Sequence, residues 1–393
     1  MKEIFISKQK DIAQIVLVEN GNLLEKYEEK DSKKRLEGKI YLGRVQNVLQ
    51  GMQAAFIDIG EDRNTFIHLK DIIPKIDIVK HQEMAEEKNI KKLVKVNDKI
   101  LIQVKRDGSH MKGAKVSTHI SIPSRYFVLM PNTDIKTISQ KIEDKDEKIR
   151  LSNIVGEILP KNFGVIIRTS AENKSKEELE KDLKSSVKEW KRIEKIKKDE
   201  NIEAPICIYK GQSFIEKLLI DLVDKDIKRV IVNDKDYYNE VKKILEKLEE
   251  NILVELKENT NILKIYDIED QIEKTKQRKI WLKCGGFITI DKTEALTAID
   301  VNSGKYIGNK NLEQTVFKVN CEASIEIARQ LRLRDIGGII IIDYIDMIDE
   351  EHKKEIIKVL EENLKQDRSK TQIVGFSKLN LLEMTRKHMK GGE

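Results

Sequence analysis

AIDVNSG at residues 298–304 and GGIIIIDYIDM at residues 337–347 both read as apolar strands that end in a carboxylate. Strand interiors disfavour aspartate, so an aspartate that closes an isoleucine-rich run is typical of a turn, a helix cap or a ligand site. A long helical pattern separates Asp300 from Asp343. Two strands joined by such a helix can place their carboxylates side by side.

Asp300, Asn302 and Asp343 are the candidate catalytic residues, and the two aspartates are the candidate metal ligands. Strand alternation puts Asp300 and Asn302 on one face. Two carboxylates that leave most of the coordination sphere to water suit Mg²⁺, with Mn²⁺ as a possible substitute. Such an ion would polarise a phosphodiester and lower the pKa of an attacking water. Either aspartate alone is more simply explained as a cap, whereas the set of three favours a metal site. Asp349 is predicted to cap the following helix, and Asp346 fits either role.

The composition is that of a chain with a balanced, highly charged surface. Charged residues make up 36% of the 393 residues, with 74 basic against 68 acidic residues and a net charge of +6. This balance is typical of a solvated surface and favours nucleic-acid binding only weakly. The length allows roughly two to four domains with their own cores.

Membrane, secreted and disulfide-stabilised classes do not fit this sequence. No apolar run approaches the roughly 20 residues that span a bilayer, and the N-terminus has no long apolar signal region. Cys207, Cys284 and Cys321 are isolated, without a CxxC pair. Their spacing argues against a disulfide framework and against structural zinc. The sequence therefore predicts a cytoplasmic protein without membrane contact.

Strand and helix patterns predict an α+β protein of several domains. Residues 1–35 read as a small sheet with a hairpin turn at Asn20-Gly21, and its partner strands are expected within residues 215–278. Residues 36–120 hold five short strands with glycine turns, which predict a Greek-key barrel of the OB type. Residues 77–92 read as a polar insertion in that barrel.

The remaining two segments also mix strands and helices. Residues 121–214 combine strands with a long helix that begins after Ser175, where Glu178 completes a capping box. Residues 279–393 carry a hairpin, the two acidic strand ends, two helices and a further strand. We expect a basic helix near residues 379–390 to close the chain.

Aromatic and basic residues are placed to share one face of the predicted barrel. Phe56 and Phe66 can each reach that face, and four basic residues lie on or beside the later strands, namely Lys105, Arg106, Lys112 and Lys115. Aromatic rings and cations on such a face stack single-stranded bases and follow phosphates. The alternatives are a barrel core position for Phe56 and a solvated edge for the lysines.

Several runs in this chain resemble one family. AIDVNSG, IARQLRLRDIGGIIIIDYIDM and LLEMTRK are similar to the ribonuclease E/G family of bacterial endoribonucleases, and GKIYLGRV and AAFIDIGEDRNTFIHL are similar to its S1-type RNA-binding domain. The resemblance covers essentially the whole chain in order. It implies an RNase H-like part (residues 1–35 and 215–278), an S1-type OB barrel (36–120), a 5′-sensor domain (121–214) and a DNase I-like catalytic subdomain (279–393).

The resemblance also implies roles for individual residues. Asp300 and Asp343 match Mg²⁺ ligands, and Asn302 matches a residue that orients the attacking water or the scissile phosphate. Other positions match an RNA clamp on the S1 face (Phe56, Phe66 and Lys112) and a pocket that senses a 5′-monophosphate (Val128, Arg168, Thr169 and Lys370). An arginine and a threonine hydroxyl suit a terminal phosphate on chemical grounds as well.

The sequence departs from the family pattern at three places. The family usually continues into a CPxCxG-type zinc link and a small dimerisation domain, whereas this sequence stops at Glu393. We therefore expect no structural zinc, and the usual dimerisation elements are absent, although a homo-oligomer remains possible. Ser124 stands where glycine is frequent, and Lys370 where an arginine is common. Lysine holds phosphate as a point charge, so we expect a weaker preference for monophosphorylated ends.

Together these features predict a Mg²⁺-dependent endoribonuclease that acts on single-stranded, AU-rich RNA. It would process or degrade rRNA and mRNA in the cytoplasm and leave 5′-phosphate and 3′-hydroxyl ends. One alternative is an RNA-binding protein of the same family with little catalytic activity as a lone protomer. The other is a nuclease directed at DNA, suggested only by the DNase I-like architecture.

Overall fold

A computed structural model of the chain describes residues 1–30, 35–72, 89–108, 112–223, 226–304 and 312–387. The architecture is α+β, as predicted. The chain divides into two compact units. The first unit comprises Met1–Lys30, Asp224–Leu245 and Asn251–Glu393, and the second comprises Asp31–Val223 and Glu246–Glu250.

The described elements are numbered here in chain order. The strands are β1 Lys2–Gln9, β2 Ile12–Glu19, β3 Asn22–Lys30, β4 Ile40–Leu49, β5 Ala54–Asp58, β6 Thr65–His68, β7 Lys99–Arg106, β8 Lys115–Ser117, β9 Ile122–Pro123, β10 Phe127–Pro131, β11 Lys136–Ile138, β12 Phe163–Ile167, β13 Ile206–Tyr209, β14 Ile227–Val232, β15 Leu253–Leu256, β16 Lys279–Trp281, β17 Phe287–Lys292, β18 Leu296–Asn302, β19 Gly338–Asp343, β20 Thr371–Phe376 and β21 Leu381–Arg386. The α-helices are α1 Ile90–Leu93, α2 Lys145–Ile158, α3 Lys176–Lys198, α4 Phe214–Leu222, α5 Lys235–Leu248, α6 Ile262–Ile265, α7 Glu269–Lys274, α8 Leu312–Leu333 and α9 Glu350–Leu364.

The first sheet of the first unit joins strands from distant parts of the sequence. Its order is β15-β14-β1-β2-β3, with β1 parallel to β14 and antiparallel to β2. Asn20 and Gly21 connect β2 to β3 with φ values of 49° and 79°, as a tight hairpin turn requires. The predicted turn and the predicted partner strands are both confirmed.

The second sheet of the first unit carries the acidic strand ends. Its order is β16-β17-β18-β19-β21-β20, and β18 runs parallel to β19. Helix α8 connects these two strands, which parallel pairing requires. One face of the sheet packs against α8 and α9 through buried apolar side chains, among them Ile299, Val301, Ile340, Ile342 and Leu382. The opposite face alternates with this core and is open.

The predicted C-terminal helix is wrong, because residues 381–386 form strand β21. Leu382, Met384 and Arg386 are buried while the residues between them are more exposed. This period of two belongs to a strand, and β21 pairs antiparallel with both β19 and β20. Residues 388–390 of the predicted helix lie outside the described residues.

The second unit contains the predicted barrel. Strands β4, β5, β6, β8 and β7 follow one another by hydrogen bonding, and pairing of β7 with β4 closes the ring. A closed five-stranded barrel is consistent with an OB-type fold. Strand β13 pairs antiparallel with the first residues of β4. Of the predicted insertion, residues 77–88 lie outside the described residues, and the rest includes the short helix α1.

The second unit also contains a four-stranded sheet and the helices α2, α3 and α4. The strand order is β11-β12-β10-β9, and α3 packs on this sheet through apolar residues such as Leu183 and Trp190. The predicted capping box is confirmed, since the Ser175 hydroxyl accepts from the Glu178 N–H at 3.2 Å and the Ser175 N–H donates to the Glu178 carboxylate at 3.0 Å. Within the described residues, no helix is both long and apolar enough to span a bilayer.

A buried ion pair fixes the edge of the second sheet. Arg386 is 2% exposed and donates to the Asp367 carboxylate at 2.7 and 3.2 Å. Its Nη1 donates to Asp335 and to the Ile336 carbonyl, each at 2.8 Å. Asp367 is 4% exposed. Arg386 therefore links β21 to the end of α8 and to the segment that precedes β20.

We predict that Arg386→Met lowers the free energy of unfolding by about 3–5 kcal/mol, because it leaves the Asp367 carboxylate buried without its partner. Urea denaturation would measure the loss. Lys354→Met is the control: it breaks an exposed ion pair with Glu351 and should unfold like the wild type. Wild-type stability of Arg386→Met would show that the sheet does not depend on this pair.

Candidate functional site

Asp300 and Asp343 face each other across two neighbouring strands. They are partners in the parallel register of β18 with β19, and both are exposed. Residues paired across adjacent strands project on the same face, and the strands lie roughly 4.8 Å apart. The two carboxylates therefore stand side by side on the open face, away from the helices.

Asn302 lies on the same face as the two aspartates. Its Nδ2 donates to the Asp300 Oδ2 at 2.5 Å. Gly286 packs closely behind this residue, because a Cβ at that position would lie 2.8 Å from the Asn302 carbonyl oxygen and 3.0 Å from Val319 Cγ1. This close packing restrains the backbone at the end of β18, from which the Asn302 amide reaches Asp300.

The electrostatics of this group favour a bound cation. Partial desolvation and the neighbouring charges of Asp300 and Asp346 raise the pKa of the Asp343 carboxyl. A cation between the carboxylates would offset this repulsion. Among the described residues, no group of three or more His, Cys, Asp or Glu side chains is arranged to hold a metal. Two carboxylates that leave the remaining positions to water fit Mg²⁺.

The helix cap predicted beyond β19 is also present. Asp349 caps α9, since its carboxylate accepts from the Glu351 N–H at 2.9 Å. Asp346 is exposed, and its negative charge helps to raise the pKa of the Asp343 carboxyl. Asp349 is therefore a helix cap, as predicted. Asp300 and Asp343 instead occupy neighbouring positions on two adjacent strands.

Phe56 and Phe66 form an aromatic pair on the outside of the barrel. They are partners in the antiparallel register of β5 with β6, and their ring centroids lie 5.8 Å apart with an edge-on geometry. Both rings are half-buried, whereas the adjacent Ile57 and Ile67 fill the barrel core. The pair therefore presents ring surface to solvent.

Lys112 belongs to a segment whose backbone runs beside β6, the strand that carries Phe66. Gly113 packs against the turn before β6, because a Cβ there would lie 2.0 Å from the Asn64 carbonyl oxygen. The Phe66 N–H donates to the Ala114 carbonyl at 2.8 Å, which holds the segment containing Lys112 beside β6. The Lys112 side chain is exposed.

Two of the other predicted cations have partners within the barrel. Lys115 forms an ion pair with Asp71 at 2.9 Å. Lys105 donates to Gln103 at 2.7 Å. These contacts fit a structural role for both lysines and leave Lys112 as the better placed of the three for a phosphate.

Arg168 and Thr169 follow the end of β12. The Arg168 Nη1 donates to the Ser124 carbonyl at 2.8 Å, and the Arg168 guanidinium also forms an ion pair with Asp221 on α4. The Thr169 hydroxyl shares a hydrogen bond of 3.0 Å with the Ser139 hydroxyl. The Arg168 guanidinium is therefore already paired with a carboxylate, that of Asp221.

Ser124 and Val128 lie close to Arg168, through the Arg168 bond to the Ser124 carbonyl and the pairing of Val128 with Ile166. Lys370 belongs to a distant part of the sequence. Val128 is half-buried on β10 and pairs with Ile166. The Ser124 hydroxyl donates to the Asp182 carboxylate at 2.6 Å. Lys370 belongs to the first unit, where its carbonyl accepts from the Lys387 N–H at 2.9 Å.

Comparison with known proteins identifies the family. The sequence matches the Ribonuclease E/G family over residues 121–389. It is 37% identical over 390 residues to Ribonuclease G of Escherichia coli (strain K12), an alignment that covers 98% of this chain and 79% of that relative. The chain belongs to the Ribonuclease E/G family. This result confirms the family predicted from the sequence and the prediction of an RNA-cleaving enzyme.

Other relatives of this Ribonuclease E/G member have similar coverage of the chain. Ribonuclease G of Haemophilus influenzae is 36% identical over 98% of this chain and 79% of its own length. Ribonuclease E of Escherichia coli (strain K12) is 34% identical over 99% of this chain, which corresponds to 37% of that longer relative. The alignments thus include the barrel as well as both acidic strands.

Three polar residues around Arg168 and Thr169 were not predicted from the sequence of this Ribonuclease E/G member, namely Ser139, Asp182 and Asp221. Asp221 lies in the apolar helix α4, and Asp182 lies on the charged helix α3, where a carboxylate is ordinary. Their contacts arise from tertiary packing. Local sequence carries no signal that separates them from other surface acids.

We predict that Gly286→Ala lowers the free energy of unfolding by about 1–3 kcal/mol, because the added methyl group overlaps the Asn302 carbonyl and forces β18 to shift. Urea denaturation would measure the change. Gly156→Ala in helix α2 is the control, since nothing lies within 4 Å of its added Cβ and alanine favours a helix. Equal stability of both variants would contradict the close packing at Gly286.

Proposed function

We propose that this member of the Ribonuclease E/G family is a Mg²⁺-dependent endoribonuclease that hydrolyses single-stranded RNA to 5′-phosphate and 3′-hydroxyl ends. The observation that carries the proposal is the pairing of Asp300 with Asp343 in the register of β18 with β19. Their two carboxylates would hold Mg²⁺, and Mn²⁺ could replace it. Bound there, the ion would neutralise charge on the scissile phosphate and lower the pKa of a water.

Asn302 would orient the reacting groups. One amide N–H of its side chain donates to Asp300, which leaves the second N–H and the carbonyl oxygen for a phosphate oxygen or a water. Asp300 in turn fixes the amide orientation. The three side chains would position the phosphate, and we assign the attack on it to a water that the ion activates.

The barrel would hold the RNA strand. Phe56 and Phe66 expose ring surface on which an unpaired base can stack, and Lys112 can pair with a phosphate. Bases within a duplex do not offer their faces to such rings, so this surface favours single strands. Stacking reads base identity weakly, which is consistent with a loose preference for AU-rich RNA.

Arg168 and Thr169, with Val128 beside them on β10, would sense the 5′ end of the substrate. A supporting role for Lys370 rests on the family resemblance alone. The ion pair between Arg168 and Asp221 competes with a terminal phosphate for the same guanidinium. The competition supports a modest preference for monophosphorylated ends, in line with the Lys370 and Ser124 departures from the family pattern.

The rest of the proposal follows the family. We assign residues 1–35 and 215–278 to an RNase H-like part, 36–120 to an S1-type domain, 121–214 to a 5′-sensor domain and 279–393 to a DNase I-like catalytic subdomain. The enzyme would process rRNA and degrade mRNA in the cytoplasm.

We predict that Asp300→Asn and Asp343→Asn each lower cleavage of a short single-stranded RNA roughly a thousandfold, because loss of one carboxylate removes several kcal/mol of metal-dependent stabilisation. Cleavage in Mg²⁺ and in EDTA, beside a gel-shift assay, would separate catalysis from binding, which should survive. Asp291→Asn is the matched control, because Asp291 is on the same face but pairs with Arg278.

Full activity in either aspartate variant would refute the metal-site assignment. RNA binding by the wild type without Mg²⁺-dependent cleavage would favour the RNA-binding alternative. Equal cleavage of a DNA strand of the same sequence would contradict the RNA specificity.

We predict that Asp221→Asn raises the cleavage ratio of 5′-monophosphate over 5′-hydroxyl RNA several-fold, because it frees the Arg168 guanidinium for phosphate. Arg168→Ala should bring the ratio to about one. Initial rates on two RNAs that differ only at the 5′ end would measure both effects. Glu180→Gln, which alters an exposed pair with Lys184 on α3, should leave the ratio unchanged. An unchanged ratio in Asp221→Asn would show that this acid does not restrain the sensor.

A further inference from the structure

An aromatic pair stands in the row next to the two aspartates. Strand register places Trp281 beside Phe287 and Phe287 beside Asn302, across β16, β17 and β18. The next row in the same register runs from Lys279 through Thr289 and Asp300 to Asp343. The two rows are two residues apart, roughly 6.6 Å along the strands. Because they share one face, the rings and the carboxylates open onto the same surface.

The Trp281 indole lies largely exposed on the surface of the sheet. It is 58% exposed, whereas the other tryptophan of the chain, Trp190, is 5% exposed in a core. Its neighbours Ile280 and Leu282 pack against the core of the sheet. Exposure of so large an apolar ring beside a catalytic candidate is typical of a binding surface.

A cation completes this surface. Lys279 Nζ lies 4.2 Å from the Trp281 ring centroid and 3.6 Å from the Phe287 ring centroid, and the two ring centroids are 5.3 Å apart. A ring face and a mobile ammonium group are the two partners that a nucleotide needs, one for its base and one for its phosphate. An apolar protein partner would gain little from the lysine.

We propose that Trp281, Phe287 and Lys279 form a stacking subsite for one unpaired base of the RNA substrate, next to the proposed metal site. The proposal rests on the proposed function. The base would take the ring face now covered by Lys279, and the ammonium group would move to the adjacent phosphate. The subsite would fix the nucleotide beside the cut, in addition to the clamp of Phe56 and Phe66 on the barrel.

The test uses one single-stranded RNA with a single cut and a set of versions that each carry one abasic nucleotide near the cut. For the wild type, one abasic position should lower kcat/KM about tenfold, the effect of losing one stacked base. Trp281→Ala should already be about tenfold slower on the intact RNA and insensitive to that abasic position. Trp281→Phe should restore most of the activity and the sensitivity. A purely structural role of the indole would not reproduce this pattern.

Lys279→Ala provides a second measurement on the full chain. Removal of one phosphate contact should lower RNA affinity several-fold and reduce the slope of log affinity against log salt by about 0.7. Lys292→Ala, an exposed lysine at the far end of β17, is the matched control and should leave the slope unchanged.

The outcomes separate this proposal from the proposed function. A wild type that cuts RNA, together with a Trp281→Ala variant of equal kcat/KM on every substrate, would overturn the subsite alone. A change of solution mass in Trp281→Ala with unchanged RNA affinity would assign the surface to a second copy of this chain and overturn it as well. If the wild type does not cut, RNA titration in EDTA decides: quenching of tryptophan fluorescence that Trp281→Phe abolishes supports the subsite, and its absence in the wild type overturns it.

Discussion

The parallel register of β18 with β19 is the constraint on which the candidate site depends. A shift of one residue would turn Asp343 towards the helices and bring Ile342 to the open face, since side chains alternate along a strand. The isoleucine-rich inner face prevents this shift, because Ile340 and Ile342 are completely buried against α8 and α9. The apolar core thus positions two charged groups that it does not touch.

In both units, alternate residues of a strand point to opposite faces, so that one set packs in the core and the other faces outwards. In the sheet of the first unit, one face packs on helices while the other offers carboxylates, an amide, rings and a lysine. In the barrel of the second unit, Ile57 and Ile67 fill the core while Phe56 and Phe66 face outwards. Each proposed binding surface is therefore the outer side of a strand whose inner side stabilises the fold. The side chains of the candidate sites therefore project from regular strands and stay at least partly exposed.

Local patterns predicted those features that depend on local chemistry. The Asn20-Gly21 turn and the Ser175 capping box follow from short-range rules. The barrel was predicted from five short strands separated by glycine turns, a pattern of the whole segment. The helix expected near residues 379–390 was wrong because LLEMTR is too short to distinguish a strand from a helix by its apolar residues, and pairing with β19 decides its structure. The pairing of Arg168 with Asp221 joins distant residues, so no local pattern could indicate it. The row of Trp281 and Phe287 beside Asn302 depends on the pairing registers of β16, β17 and β18, which the sequence does not specify.

The parallel pairing of β1 with β14 has a consequence for synthesis on the ribosome. Residues 2–9 leave the exit tunnel long before residues 227–232 are translated. During that interval one edge of the nascent hairpin sheet has no neighbour, and an open strand edge is a template for association with other chains. The barrel-containing segments emerge in between and can fold locally. The β1 edge is therefore exposed to association with other chains until β14 has been synthesised.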